Sequence, residues 1–162
     1  HPLLSHFVPP TVLQPRAVRR VTAPEPDYRD DDAAAVAKEL MELGVLVNTG
    51  AHGQREGLAT HWEMWSFVEG GMNPMQMLAT ATINPARYLG MDADLGSIET
   101  GKLADLQVVD GNPLEDVKST DRITHVMVNG RLYRANDLGE VVTGSRPAPT
   151  LWWHNQPQHQ IR

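Results

Sequence analysis

Between Ala33 and Leu43 apolar side chains recur at helical spacing, with Val36, Leu40 and Leu43 forming one stripe. Asp32 stands ahead of that run as a cap, and Gly44 follows where a helix stops. Val45-Leu-Val-Asn-Thr49 then reads as a short β-branched strand, apolar on both faces, as a parallel sheet buried under helices requires. A glycine-rich loop, Gly50-Ala-His-Gly-Gln-Arg-Glu-Gly57, leaves its carboxy-terminal end. Helical spacing returns over Leu58–Glu69, with Leu58, Trp62, Trp65 and Val68 on one face, and stops at Gly70-Gly71. Asn73-Pro74 caps and opens a third helix expected to bury Met75, Leu78 and Ala79. Asn84-Pro85 repeats the device for a short turn, Ala86–Leu89, closed by Gly90. Helix, strand, loop and helix in this order make one βα unit of an α/β layer.

After Gly90 the period falls to two. Gly96–Ile98 and Ala104–Val109 read as strands around a turn at Glu99–Lys102. Ile123–Val128 and Arg131–Arg134 flank Asn129-Gly130, a strong short-range signal for a hairpin. Upstream of all this, six prolines among residues 1–31 predict an irregular connector. Four segments result: the connector at 1–31, a βα region at 32–90, a small β unit at 91–143 and an aperiodic tail at 144–162.

Charge and composition narrow the partners. The 162 residues carry 14 basic and 20 acidic side chains, a net charge of −6, which offers no attraction to nucleic acid or an anionic membrane. No apolar run approaches the roughly 20 residues of a membrane span. Without cysteine there are no disulfides, no thiol catalysis and no thiolate metal sites. The first residue is His1 and no signal segment follows it, so an upstream part of the polypeptide is expected, and the compartment stays open.

The stretch Gly71-Met-Asn-Pro-Met-Gln-Met-Leu-Ala-Thr-Ala-Thr-Ile-Asn-Pro-Ala-Arg-Tyr-Leu-Gly90, followed by Leu95-Gly-Ser-Ile-Glu-Thr-Gly-Lys-Leu-Ala-Asp105, resembles the carboxy-terminal signature of the amidohydrolase superfamily. Asn112-Pro-Leu-Glu-Asp116 and Val126-Met-Val-Asn-Gly-Arg-Leu-Tyr133 continue the likeness, which covers about residues 40–135. The resemblance implies an α/β fold: the carboxy-terminal portion of a (β/α)8 barrel with a small β-sandwich domain beside it. A whole barrel takes about 250 residues, more than are here. The loop Gly50–Gly57 with His61-Trp-Glu63 resembles superfamily members fused to a β-propeller. Lys102 and Asp105 lie in a turn of the signature, where pairing or solvation is the plainer role than chemistry.

The superfamily activates water on one or two divalent metals, held by His-x-His on the first strand, a carboxylated lysine or glutamate, two more histidines and an aspartate ending the last strand. That aspartate is both ligand and base. No His-x-His occurs here, so the other ligands are expected upstream of His1. Aligning Gly50-Ala51-His52 on the usual Gly-Thr-Asp puts His52 at the aspartate's position, as ligand or base. The plain alternative is a loop histidine bonded to backbone. Arg55 and Glu56 stand as substrate contacts, against a reading as solvated charges.

His61 and Glu63, two apart on a helix, point to different faces and would not chelate one ion. Trp62 and Trp65 read as core or interface rather than a substrate cage, and His125 as structural; His154 and His159 lie in the tail. The expectation is thus the end of a hydrolase acting on a C–N bond, of peptide or cyclic-amide type, inactive when isolated. Its rival is a non-catalytic scaffold that has lost its metal site. A zinc-like divalent metal is implied for the complete enzyme and none for this chain alone. The expected partners are the missing amino-terminal part and a second copy, because a half barrel exposes strand edges and apolar helix faces.

Overall fold

The computed structural model describes residues 2–17, 24, 27–52 and 57–155. Six helices come first: α1 Pro2–Phe7, α2 Pro10–Ala17, α3 Asp30–Glu42, α4 Leu58–Glu69, α5 Pro74–Ala81 and α6 Ile83–Tyr88. Three strands follow, β1 Leu106–Val109, β2 Ile123–Val128 and β3 Arg131–Arg134, with 3-10 turns at Val117–Asp121 and Trp152–Asn155. No helix among the described residues is long and apolar enough to cross a membrane.

The segment expected to be irregular therefore contains two helices. Pro2 and Pro10 do not break them, because each is a first helical residue, whose N–H has no intrahelical partner anyway. α3 begins at Asp30, two residues before the expected cap. Asp30, Asp31 and Asp32 fill its first turn, where negative charge opposes the positive helix end, and Asp32 pairs with Arg29 at 2.9 Å. Its carboxy-terminal end is a Schellman motif: Gly44 at φ +88° lets its N–H reach Met41 O while Val45 N–H reaches Leu40 O. α4 ends in the same way, with Gly71 at φ +98°.

The core lies between α3, α4 and the chain after α3. Ala34, Phe67 and Met72 are buried together, with Ala37, Met41 and Val47 packed on them. Three expected faces are rotated. In α3 the stripe Val36, Leu40 and Leu43 is exposed, and the alanine side packs inward because Gly70 admits Ala34 where a side chain would collide with it. α4 buries Ala59, Met64 and Phe67, while Trp62 is exposed. α5 buries Met77 and Thr80 completely, and Met75 faces outward. α4 and α5 are apolar almost all round, so periodicity alone does not select the packed side.

Residues 45–49 run extended but form no strand. They are held by α5 and α6: the Asn84 side chain donates from Nδ2 to Val47 O at 3.0 Å, and the Thr49 backbone N–H donates to the Thr80 carbonyl at 2.9 Å. Thr80 gives its hydroxyl proton to Met77 O at 2.7 Å, so Thr49 is the donor in the 2.8 Å bond between the two threonines. Asn84 is therefore not a cap. α6 starts one residue earlier, and the buried Asn84 side chain holds the extended segment instead. Asn73 is a cap, in a reciprocal box with Gln76 at 2.9 Å each way.

Beyond α6, the strand expected at Gly96–Ile98 is absent and those residues bend. Gly96, at φ +93°, would place a Cβ 2.6 Å from Ala86 Cβ, so the loop packs on α6 only through glycine. Lys102 Nζ stitches this loop by donating to Asp92 O and Ser97 Oγ, both at 2.6 Å. Asp105 accepts from Asn129 N–H at 2.6 Å, tying the loop to the β2–β3 turn. The strands form one antiparallel sheet in the order β1-β2-β3, rather than two packed layers among the described residues. Asn129 and Gly130, at φ 48° and 77°, make the expected hairpin turn. Trp65 Nε1 donates to Thr120 Oγ1 at 2.9 Å and so joins the helical half to the sheet half.

Candidate functional site

The extended segment 45–49 delivers the chain to Gly50, whose N–H donates to Glu63 Oε2 of α4 at 2.8 Å. Two residues later His52 is exposed and sits at φ 51°, in the left-handed region. A non-glycine residue there is uncommon, and such outliers gather at functional loops. Bonds from α5 and α6 and from Glu63 of α4 thus fix the stem that presents His52. The sequence spacing keeps Glu63 from chelating one ion with His61 but gives no sign of its bond to Gly50, since that pair is 13 residues apart. Arg55 and Glu56 lie outside the described residues.

The other described histidines lie in other elements. His61, in α4, is half-buried, and its Nδ1 has no hydrogen-bond partner. Burial holds its pKa below 6.5, with the nearby Asp121 carboxylate opposing that shift. His125 sits in β2 with Nδ1 3.2 Å from Thr124 Oγ1. His154 Nε2 lies 3.0 Å from His6 O, a carbonyl that also accepts from Trp153 Nε1 at 3.0 Å. His159 lies outside the described residues. Among the described residues no three His, Asp or Glu side chains come together to hold a metal ion. The groups present do not by themselves fit a divalent cation; one exposed imidazole is a single donor where such an ion needs several.

The signature residues have structural partners. Lys102, with only 11% of its side chain exposed, is held by Asp92, Ser97 and Glu99. Hydrogen bonding from Ser97 first, and then Lys102, keeps the Glu99 carboxyl below the usual glutamate range. In the last part of the chain Glu140 is buried and accepts from the hydroxyls of Thr143 and Ser145 at 2.7 Å, which lowers its pKa to about 2. Arg134 clasps Asp137 through two nitrogens and depresses that carboxyl as well. Each of these groups has its partners close by in the chain and holds the shape of its own turn or loop.

The sequence matches the model of the amidohydrolase family over residues 13–133. It is 38% identical over 80 residues to an imidazolonepropionase of Symbiobacterium thermophilum, covering 46% of this chain and 19% of that one. It is 33% identical over 104 residues to ochratoxinase of Aspergillus niger, covering 61% and 22%. Among solved structures, a Xaa-Pro dipeptidase with bound methionine in its active site superposes with a TM-score of 0.57 at 34% identity, over 62% of this chain and 25% of that one. The chain therefore spans about a fifth to a quarter of the length of these relatives. The match takes in the clamped segment, the His52 loop, the helices that hold them and the sheet, and on that extent the chain belongs to the amidohydrolase family.

Proposed function

We propose that this chain is the carboxy-terminal part of an amidohydrolase that hydrolyses a C–N bond in a peptide or cyclic amide. One observation carries the reading: an extended segment held by helices presents His52 at its carboxy-terminal end, inside the family match. In a (β/α)8 enzyme that end of a strand is where the site is built. His52, in the aspartate's place, offers one nitrogen as proton acceptor or ligand, and Arg55 and Glu56 of the same loop contact substrate. A zinc-like divalent metal belongs to the complete enzyme, whose other ligands come from the upstream part.

The unsatisfied edge supports an upstream partner. The N–H groups of Leu46, Val47 and Asn48 make no hydrogen bond to the described residues, and Val36, Leu40, Leu43, Val45, Leu46 and Met75 leave an exposed apolar surface around them. The rest of the barrel fills that edge in the complete enzyme, and the three-stranded sheet is the chain's share of a sandwich completed upstream. The glycine-rich loop favours the subfamily fused to β-propellers. Isolated, the chain turns over no substrate, holds no stoichiometric metal and pairs with a second copy. A second reading, a scaffold without catalysis, is favoured by the replacement of aspartate by His52.

The test is metal analysis and hydrolase assay of the full-length protein. Loss of turnover in His52→Ala with the fold intact supports the site, and normal turnover sinks the residue's role. A full-length protein with neither metal nor activity selects the scaffold. For the isolated chain, a monodisperse monomer by light scattering counts against the truncated barrel.

A further inference from the structure

A pocket of about 450 Å³ opens between α1, α2, the start of α4 and the start of β2. Phe7, Val8, Val12 and Leu58 make its walls apolar, and the polar side chains facing it are His61 and Asp121. That size, and apolar walls with few polar groups, are typical of sites for small molecules. Asp121 ends the 3-10 turn Val117–Asp121. Its carboxylate makes no hydrogen bond or ion pair with any described residue, and the neighbouring Arg122 is turned instead onto Asp116 at 3.0 Å.

His61 does not supply the missing cation. No ion pair joins it to Asp121, and its burial favours the neutral ring. A carboxylate with no ion-pair partner among the described residues, set beside an apolar hollow, attracts a cation more strongly than it would in open water, because the effective dielectric is lower. The apolar walls then select a cation with a hydrophobic body over a hydrated metal ion.

We propose that this pocket binds a small organic cation, with a protonated amine on Asp121 and an aryl or branched aliphatic body against Phe7, Val8, Val12 and Leu58. The site goes beyond the hydrolase reading, since it requires neither metal nor turnover, and it stands or falls separately from His52.

The experiment is a titration of the 162-residue chain by equilibrium dialysis and by NMR. Two probes of like size and opposite charge are compared, 2-phenylethylammonium and 3-phenylpropionate. Saturable binding of one amine per chain is expected, at least tenfold tighter than the carboxylate, with resonances of Phe7 and Leu58 shifting together. Asp121→Asn keeps the shape and loses about tenfold in amine affinity; Val12→Trp fills the hollow and abolishes binding. Absence of saturable amine binding, or equal binding of the two probes, overturns the proposal. So does an Asp121→Asn variant that melts like the parent and binds the amine unchanged. The probe pair needs no variant, so a poorly folding mutant leaves the proposal decidable.

Discussion

Replacing Gly70 by alanine sets two effects of opposite sign against each other. Gly70 closes α4 at φ −74° and ψ 1°, a conformation that any L-residue adopts, so no backbone strain enters. With room for a methyl group, alanine would stabilise the protein by about 0.4–1 kcal/mol, because the unfolded chain loses freedom. There is no such room. A Cβ at this position overlaps Ala34 Cβ and lies 2.5 Å from the Ala34 carbonyl carbon and 2.7 Å from Ala35 N. Two of these neighbours are backbone of α3, so relief requires moving a helix rather than turning a side chain. Overpacking of this kind costs roughly 1–3 kcal/mol. The net expectation is destabilisation by about 1–2 kcal/mol, read as a lower urea midpoint with unchanged slope. At this chain length each kcal/mol lowers Tm by about 2–4 °C. Adding Ala34→Gly removes the Cβ overlap but not the backbone contacts, so the double variant recovers part of the loss and the cycle shows coupling of about 0.5–1 kcal/mol. A Gly70→Ala protein more stable than the parent, or a cycle without coupling, would refute the close approach of α3 to α4.

Thr80→Val keeps the shape but leaves the Thr49 hydroxyl without its acceptor; a loss of about 1–2 kcal/mol in urea unfolding is expected, and equal stability would show that this tie contributes nothing. Glu140 titrates at about 2 when folded against an ordinary 4.5, so the folded state takes up its proton later and stability falls as pH drops from about 4.5 towards 2. A melting series over that range should lose this acid limb in Glu140→Gln; an unaltered limb would remove the carboxylate as its source. For His61, lowered in the fold, the window begins at 6.5: the unfolded chain accepts the proton first, so Tm declines as pH falls below 6.5 and declines less in His61→Gln.

Elements with a local cause were readable from sequence. A tight two-residue hairpin requires two positive φ values, which Asn129-Gly130 supplies, and Asn73-Pro74 contains both halves of a helix start. α4 spans Leu58–Glu69 as its spacing predicts, between glycines that end it. Faces were not readable. Val36, Leu40 and Leu43 have the spacing of a core stripe, yet the packed side of α3 is set by Gly70, 36 positions beyond Ala34 in the chain. Strand-like composition at Val45–Thr49 gives extension but not pairing, because a ladder needs a neighbour's edge. The candidate site divides in the same way. His52 is marked in the sequence by its place after a recognisable run, whereas the bonds that Glu63 and Asn84 make to this segment join residues far apart in the chain.

This division explains why the family was easier to recognise than the activity. The signature from Leu95 to Asp105 joins the last helix to the sheet through short, geometry-bound contacts. Gly96 fits under Ala86, Lys102 gathers Asp92 and Ser97, and Asp105 reaches Asn129. Each contact restricts one position to one or two residue types, and they lie close together in the chain, so they read as a motif. The loop at His52 is under a different constraint. Gly50 needs only a backbone N–H to meet Glu63, and the side chain at 52 is exposed and takes no part in that bond. A histidine there is compatible with the same stem as an aspartate, because the stem is built from Asn84, Thr80 and Glu63 and not from residue 52 itself. The stem of this loop is thus held independently of the side chain at 52, while the signature holds the last helix to the sheet.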